Sequence, residues 1–310
     1  MTAMKQQPSD DERRAAASLL AARQWLGRAR PIGALIGVAL LAAAAFVVVR
    51  EWESLATAME ATRAASFGVV AAMAATMLAS VLLTGAIFWL LTRRFGPVGF
   101  VDMQALMAAT ALANYLPLRP GLVGRVVYHR QRHGIRPVDS LRTIVEAMAL
   151  SALVLVLLVP SMLAVHAGGL PSILGVALPL AVGVLVLAAR ERFRGLAAAF
   201  LLRFGETLLT ALRYDLAFRL TGSAIPWHAS VAVACVSMIA TMVPFVSNGI
   251  GLREWAVGLL APLLVDTTLE RGLAAELINR VIEVGVIAPC GLIGFGWLWR
   301  DARDARPNGS

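Results

Sequence analysis

The sequence predicts an all-α, polytopic membrane helix bundle, and three observations predict it. The 310 residues are 59% hydrophobic and 15% charged, with mean hydropathy +0.74. An ordinary soluble domain is about 25% charged. Several apolar runs approach the roughly 20 residues needed to cross a bilayer. Alanine, leucine, valine and glycine fill these runs, which suits close helix–helix approach, and arginines gather at one set of run ends.

Residues 1–31 are polar and charged and form a cytoplasmic lead. The lead is too long and too mixed for a cleaved signal. Residues 32–49 are then the first span of a membrane domain covering 32–300, and residues 301–310 are a cytoplasmic tail. A second span at 67–91 ends at Arg93-Arg94. Residues 101–118 are apolar but short, and 122–136 carry four arginines and cannot span. Spans come next at 143–165 and 172–189, then at 204–221, where Arg213, Asp215 and Arg219 require a face turned to protein. Asp215 and Arg219 are one turn apart and pair, and this trio reads as structural. Segments 228–246 and 250–265 flank a second interruption. Residues 266–276 form an acidic external connection, and 277–299 is the last span.

The first interruption runs from Asn114 to Arg125 with two prolines and two glycines. The second runs from Pro244 to Glu254. Proline removes a backbone donor and clashes with the preceding turn. Broken backbone at membrane depth persists only where protein or a water-filled cavity satisfies it. Each interruption therefore predicts a re-entrant helical hairpin, giving about six full spans plus two hairpins.

Charge gives this scheme a side. With both termini cytoplasmic, twenty-one of the 28 basic residues fall in cytoplasmic segments, four outside (Arg50, Arg63, Arg253, Arg271) and three within spans. That is the positive-inside asymmetry. It accounts for the net charge of +9 without nucleic acid, for which no binding module is readable. The seven tryptophans fall near span ends, as interface anchors do. The expected location is the inner (plasma) membrane. The first hairpin then enters from the cytoplasm and the second from outside. Aligning Gly121 with Gly249 places Arg125 on Arg253, with Pro117 and Pro244 upstream and Asn114 and Asn248 nearby. This is the mark of an inverted repeat, a transporter architecture.

The run Asn114, Leu116, Pro117, Arg119, Gly121, then Arg125, Glu146, and the Pro244…Gly249-Ile-Gly251-Leu-Arg253-Glu254 run, resemble the flippase-like membrane domain of lysylphosphatidylglycerol synthases. The resemblance covers most of 32–300. It implies a bundle of about eight membrane segments that moves a lipid between leaflets. The synthases carry a large soluble catalytic domain after the membrane part, which these residues do not include, so lipid synthesis is not expected. Ala147 stands where many members carry an arginine, which departs from the family's charge pattern.

Candidate substrate-binding residues are Asn114, Arg119, Gly121, Arg125, Glu146, Asn248, Gly249, Gly251, Arg253, Glu254, Arg280 and Glu283. Arginine binds phosphate in bidentate fashion. Glycine lets backbone approach a ligand, and a half-helix N-terminus favours an anion. Each has a plainer reading. Arg119 and Arg125 are also what a cytoplasmic anchor looks like. Glu254 also suits a helix start. Glu146 lies four residues after Arg142 and suits a neutralised pair. Glu276, Arg280 and Glu283 share one helical face and suit a structural pair as well as a gate. The four histidines are scattered without zinc spacing. Cys235 and Cys290 sit in apolar runs as small hydrophobes.

No nucleophile arrangement, metal set or phosphate-binding loop is readable, so an enzyme is not expected, nor a cofactor or ATP coupling. The expected function is translocation of an anionic or aminoacylated phospholipid, or a related lipid, with membrane lipids as partners. The alternative is a membrane-embedded partner or scaffold of a separately encoded lipid- or glycolipid-synthesising enzyme.

Overall fold

A computed structural model describes residues 67–115, 120–189, 194–242 and 251–304. The first predicted span, the polar lead, Arg119, Asn248 and Gly249 lie outside them. Among the described residues there are nine helices and no strand. Four are long and apolar enough to cross a membrane: α1 (Phe67–Thr92), α4 (Pro137–His166), α6 (Arg194–Leu220) and α9 (Leu269–Asp304). Three shorter apolar helices are α2 (Phe100–Ala113), α5 (Ser172–Ala188) and α7 (Trp227–Met242). The remaining two, α3 (Pro120–His133) and α8 (Leu252–Leu264), each start inside an expected interruption, so the C-terminal part of each interruption is helical.

Local chemistry sets the boundaries. α3 and α4 begin on a proline, whose missing N–H costs nothing at a helix start. α3 ends at Gly134 with φ +65, and α6 is followed by Gly222 with φ +74. Gly251 precedes α8 with φ +82, a left-handed conformation that a side chain would strain. With 14 residues each, α2 and α3 extend about 21 Å. That is less than the hydrocarbon core of about 30 Å.

Three helices start well before their expected boundaries. α4 starts at Pro137 rather than 143, because Pro137 initiates it and Asp139 in its first turn is bonded to Arg136 at 2.8 Å. α6 starts at Arg194 rather than 204. α9 starts at Leu269, so the expected acidic connection is mostly helix and Glu276 is fully buried. Glu276 points into protein because Arg253 and Tyr214 receive it there.

The described helices expose large apolar side chains and bury a cluster of charged ones beside an otherwise apolar core. Ile173, Leu185, Leu263, Val281, Leu292 and Ile293 are exposed, while Arg125, Arg213, Arg253, Glu276, Asn279 and Glu283 are buried. Water would favour the reverse; lipid favours this. Small residues bring backbones together. α2 crosses α9 at Ala105, Ala108 and Ala109 against Gly291 and Gly294, where a Cβ on Gly294 would sit 2.4 Å from the Ala105 carbonyl oxygen. In the same way Gly272 of α9 lies on Gly258 of α8. A Cβ on Gly121 would lie 2.2 Å from the Thr110 carbonyl oxygen, so α3 closes on α2 only because that residue is glycine.

The helix pairings come in matched sets. α1 packs on α6. α2 packs on α9 and α7 on α4. α1 touches α2 as α6 touches α7, and α3 follows α2 as α8 follows α7. α3 packs on α4 as α8 does on α9, α1 on α9 as α6 on α4, and α1 on α4 as α6 on α9. α5 packs on α4 and α6 and has no counterpart in these sets.

Candidate functional site

Helices α1, α2, α3, α6, α7, α8 and α9 line an open-sided cavity of about 330 Å³. Four arginines line it: Arg125 from α3, Arg203 and Arg213 from α6, and Arg253 from α8. Two carboxylates join them, Glu206 from α6 and Glu283 from α9. Asn114, hydroxyls of α1, α6 and α7, and apolar side chains of α1, α2, α7 and α9 complete the lining.

Arg253 is the second residue of α8 and is buried, set there by the turn through Gly251. Its Nη1 donates to Glu283 Oε2 at 2.8 Å, and its Nη2 lies 2.7 Å from Glu276 Oε1. The Glu276 contact is a close ion pair that is not aligned as a hydrogen bond. Glu276 also accepts the Tyr214 hydroxyl and the Asn279 amide, the latter at 3.3 Å. Arg280 reaches back to Glu254 at 3.1 Å and lies 3.6 Å from Glu283. Arg213 donates from Nε to Asn279 Oδ1 at 2.6 Å. Glu276, Arg280 and Glu283, spaced four and three residues apart, thus present one charged stripe of α9 to α6 and α8. Two charges taken from water are stable together only when their remaining hydrogen-bonding groups are met. Tyr214, Asn279 and Tyr115 supply that.

Tyr115 joins the two interruptions. It follows α2, and its hydroxyl donates to Glu283 Oε1 at 2.6 Å. Glu283 therefore takes bonds from the first interruption through Tyr115 and from the start of α8 through Arg253. A separate pair lies on α6. Glu206 accepts Arg203 Nη1 at 2.5 Å and the Thr84 hydroxyl at 2.8 Å.

Arg125, which the sequence aligns with Arg253, is held differently. It is buried, and its guanidinium lies 4.0 Å over the Phe88 ring. No carboxylate pairs with it among the described residues, and its Nε and Nη1 have no hydrogen-bond acceptor there. Arg203 Nε, Arg213 Nη1 and Arg253 Nε are in the same condition. Each cavity-lining arginine thus keeps at least one buried N–H without an acceptor among the described residues. Around the cavity and behind it stand five arginines (125, 203, 213, 253, 280) and four glutamates (206, 254, 276, 283). The surplus is cationic. An unpaired buried charge is costly, and a phosphate bound by several guanidinium donors relieves it.

Of the sequence-expected residues, Asn114, Arg125, Arg253 and Glu283 line the cavity. Glu254 and Arg280 stand behind it in the ion-pair network. Gly121 seats α3 against α2, and Gly251 turns the chain into α8. Glu146 is elsewhere. It pairs with Arg142 at 3.1 Å and with Arg94, on the partly exposed face of α4, and is not among the cavity-lining residues.

Sequence reasoning does not single out Tyr115, Arg203, Glu206, Tyr214 or Asn279 for the site. It leaves Glu276 between a structural pair and a gate, and it places Arg213 with structural pairs. Signals exist for some. Tyr115 lies inside the first interruption. Arg203 and Glu206 are one turn apart beside an apolar run. Tyr214 and Asn279 carry none. Asp215 and Arg219 do pair, at 2.9 Å. His166 Nδ1 and His228 Nε2 approach to 3.3 Å. Among the described residues no three His, Cys, Asp or Glu side chains form a metal-binding group. No family model, no curated protein and no solved structure matches this chain.

Proposed function

We propose that this protein is a lipid translocase of the inner membrane that takes the head group of an anionic phospholipid into the arginine-lined cavity while the acyl chains stay in lipid. The observation that carries this reading is the cationic surplus. Arg125 is buried, without a carboxylate partner among the described residues, and lines a cavity inside a bundle whose exterior is apolar. A phosphodiester on a lipid satisfies both surfaces at once.

The helix pairings support an inverted repeat. Exchanging α1 with α6, α2 with α7, α3 with α8 and α4 with α9 maps the pairings among these eight helices onto one another. In this reading α2–α3 and α7–α8 are re-entrant hairpins entering from opposite faces, and both termini are cytoplasmic. Arg125 and Arg253 are equivalent positions of the two repeats. The motif resemblance to the flippase-like domain points the same way. Alternating access comes from one repeat rocking against the other. The Tyr115–Glu283–Arg253 junction is the contact that must break and re-form.

The test is scrambling of a fluorescently labelled phosphatidylglycerol in proteoliposomes, read by quenching of the outer leaflet with dithionite. Reconstituted protein should accelerate flipping over empty vesicles, and Arg125→Gln should slow it at least about tenfold, the loss of one or two charge-assisted hydrogen bonds. Wild-type protein no faster than empty vesicles sinks the reading. A full rate in Arg125→Gln removes Arg125 from the path.

A further inference from the structure

The remaining cavity lining bears on which head group fits, an inference that rests on the translocase reading. Ser80 of α1 and Thr207 and Thr210 of α6 line the cavity. Ser80 donates its proton to the Thr76 carbonyl, Thr207 to the Arg203 carbonyl and Thr210 to the Glu206 carbonyl, each at 3.0 Å. With the proton committed to its own helix, each oxygen offers the cavity lone pairs only. Asn114 adds a buried Oδ1 with no donor among the described residues. The cavity thus presents two complementary sets: N–H donors from Arg125, Arg203, Arg213 and Arg253, and acceptor oxygens from Ser80, Thr207, Thr210 and Asn114.

An anion that carries O–H groups meets both. An ammonium head group meets the acceptors, but no carboxylate awaits its charge. Glu206 is held by Arg203 and Thr84, and Glu283 by Arg253 and Tyr115. A phosphate monoester with no further alcohol meets the arginines and leaves the acceptors without donors. We propose that the cavity selects a phosphodiester whose alcohol bears free hydroxyls, a glycerol or polyol head group, over ammonium-bearing or aminoacylated ones.

The experiment titrates the purified full chain in an uncharged maltoside detergent, following thermal stabilisation. The probes are dihexanoyl phosphatidylglycerol, phosphatidylethanolamine and phosphatidic acid, and water-soluble glycerophosphoglycerol. Phosphatidylglycerol should bind at least about tenfold more tightly than the other two lipids, the worth of one or two hydrogen bonds. Replacing Thr207→Val together with Thr210→Val should bring phosphatidylglycerol to the affinity of phosphatidic acid and leave phosphatidic acid unchanged, which also reports an intact fold. Equal binding of phosphatidylethanolamine and phosphatidylglycerol by wild type overturns the proposal, as does an undiminished preference in the valine variant. Glycerophosphoglycerol binding as tightly as its acylated form upholds the head-group chemistry and overturns the lipid reading. Scrambling without head-group preference does the reverse.

Discussion

Glu283 joins the two interrupted segments, and removing its charge separates their energetics. It takes Tyr115 at 2.6 Å and Arg253 at 2.8 Å, and Arg280 lies at 3.6 Å. Glu283→Gln keeps the shape and deletes the charge. Breaking one partner of a buried ion pair costs about 3–5 kcal/mol. Here Arg253 keeps Glu276 at 2.7 Å and Arg280 keeps Glu254 at 3.1 Å, which sets the expectation at the lower end, about 3 kcal/mol. Tyr115→Phe removes one hydrogen bond to a charged acceptor, about 1.5–3 kcal/mol in general. Interhelical bonds in membranes reach at most about 1.7 kcal/mol in double-mutant cycles, so about 1.5 kcal/mol is expected. In the Glu283→Gln background the same change should cost only about 0.5 kcal/mol, leaving a coupling near 1 kcal/mol. Reversible unfolding in mixed micelles with increasing dodecyl sulfate measures all four corners of the cycle. Costs that add within about 0.3 kcal/mol would refute a direct Tyr115–Glu283 bond and the junction built on it.

Arg125 and Arg253 should respond to Gln with opposite signs in the same unfolding assay. Arg125→Gln removes a buried charge without a carboxylate partner among the described residues and should leave stability unchanged or higher. Arg253→Gln leaves Glu276 without its cation and Glu283 with Arg280 and Tyr115, and should cost about 3–5 kcal/mol; equal losses would contradict the pairing. Gly294→Ala drives a Cβ to 2.4 Å from the Ala105 carbonyl oxygen and should destabilise by about 1–3 kcal/mol, as overpacking does, whereas Gly296→Ala, with nothing within 4 Å, should not. Glu146→Gln touches only the partly exposed Arg94 and Arg142 contacts. It should change stability by less than about 1 kcal/mol and leave scrambling at the wild-type rate.

Much of the scaffold was legible because it is written in local chemistry. The apolar runs and the prolines and glycines at 114–125 and 244–254 fix where helices run and stop. α2 ends at Ala113 and α7 at Met242, each just before an interruption, and α3 restarts at Pro120 and α8 at Leu252, within it. Likewise Asp215 with Arg219, one turn apart, and the stripe Glu276, Arg280, Glu283 come from helical spacing. Boundaries without a strong stop signal were less legible. The acidic run before residue 277 reads as a connection until its partners are known, since a buried glutamate is tolerable only when an arginine and a hydroxyl meet it.

The sequence by itself determined a helical, membrane-type chain and two proline- and glycine-rich stretches where helices break, and it aligned Arg125 with Arg253, because hydropathy, proline geometry and spacing act within a few residues. Only the tertiary structure decided that these two arginines are unlike. Arg253 is neutralised by carboxylates of α9, 23 and 30 residues along the chain, while Arg125 lies over the face of Phe88 with no carboxylate partner among the described residues. Whether a buried charge is balanced depends on which helices lie side by side. That is set by close crossings such as Gly294 on Ala105, and no local pattern encodes it.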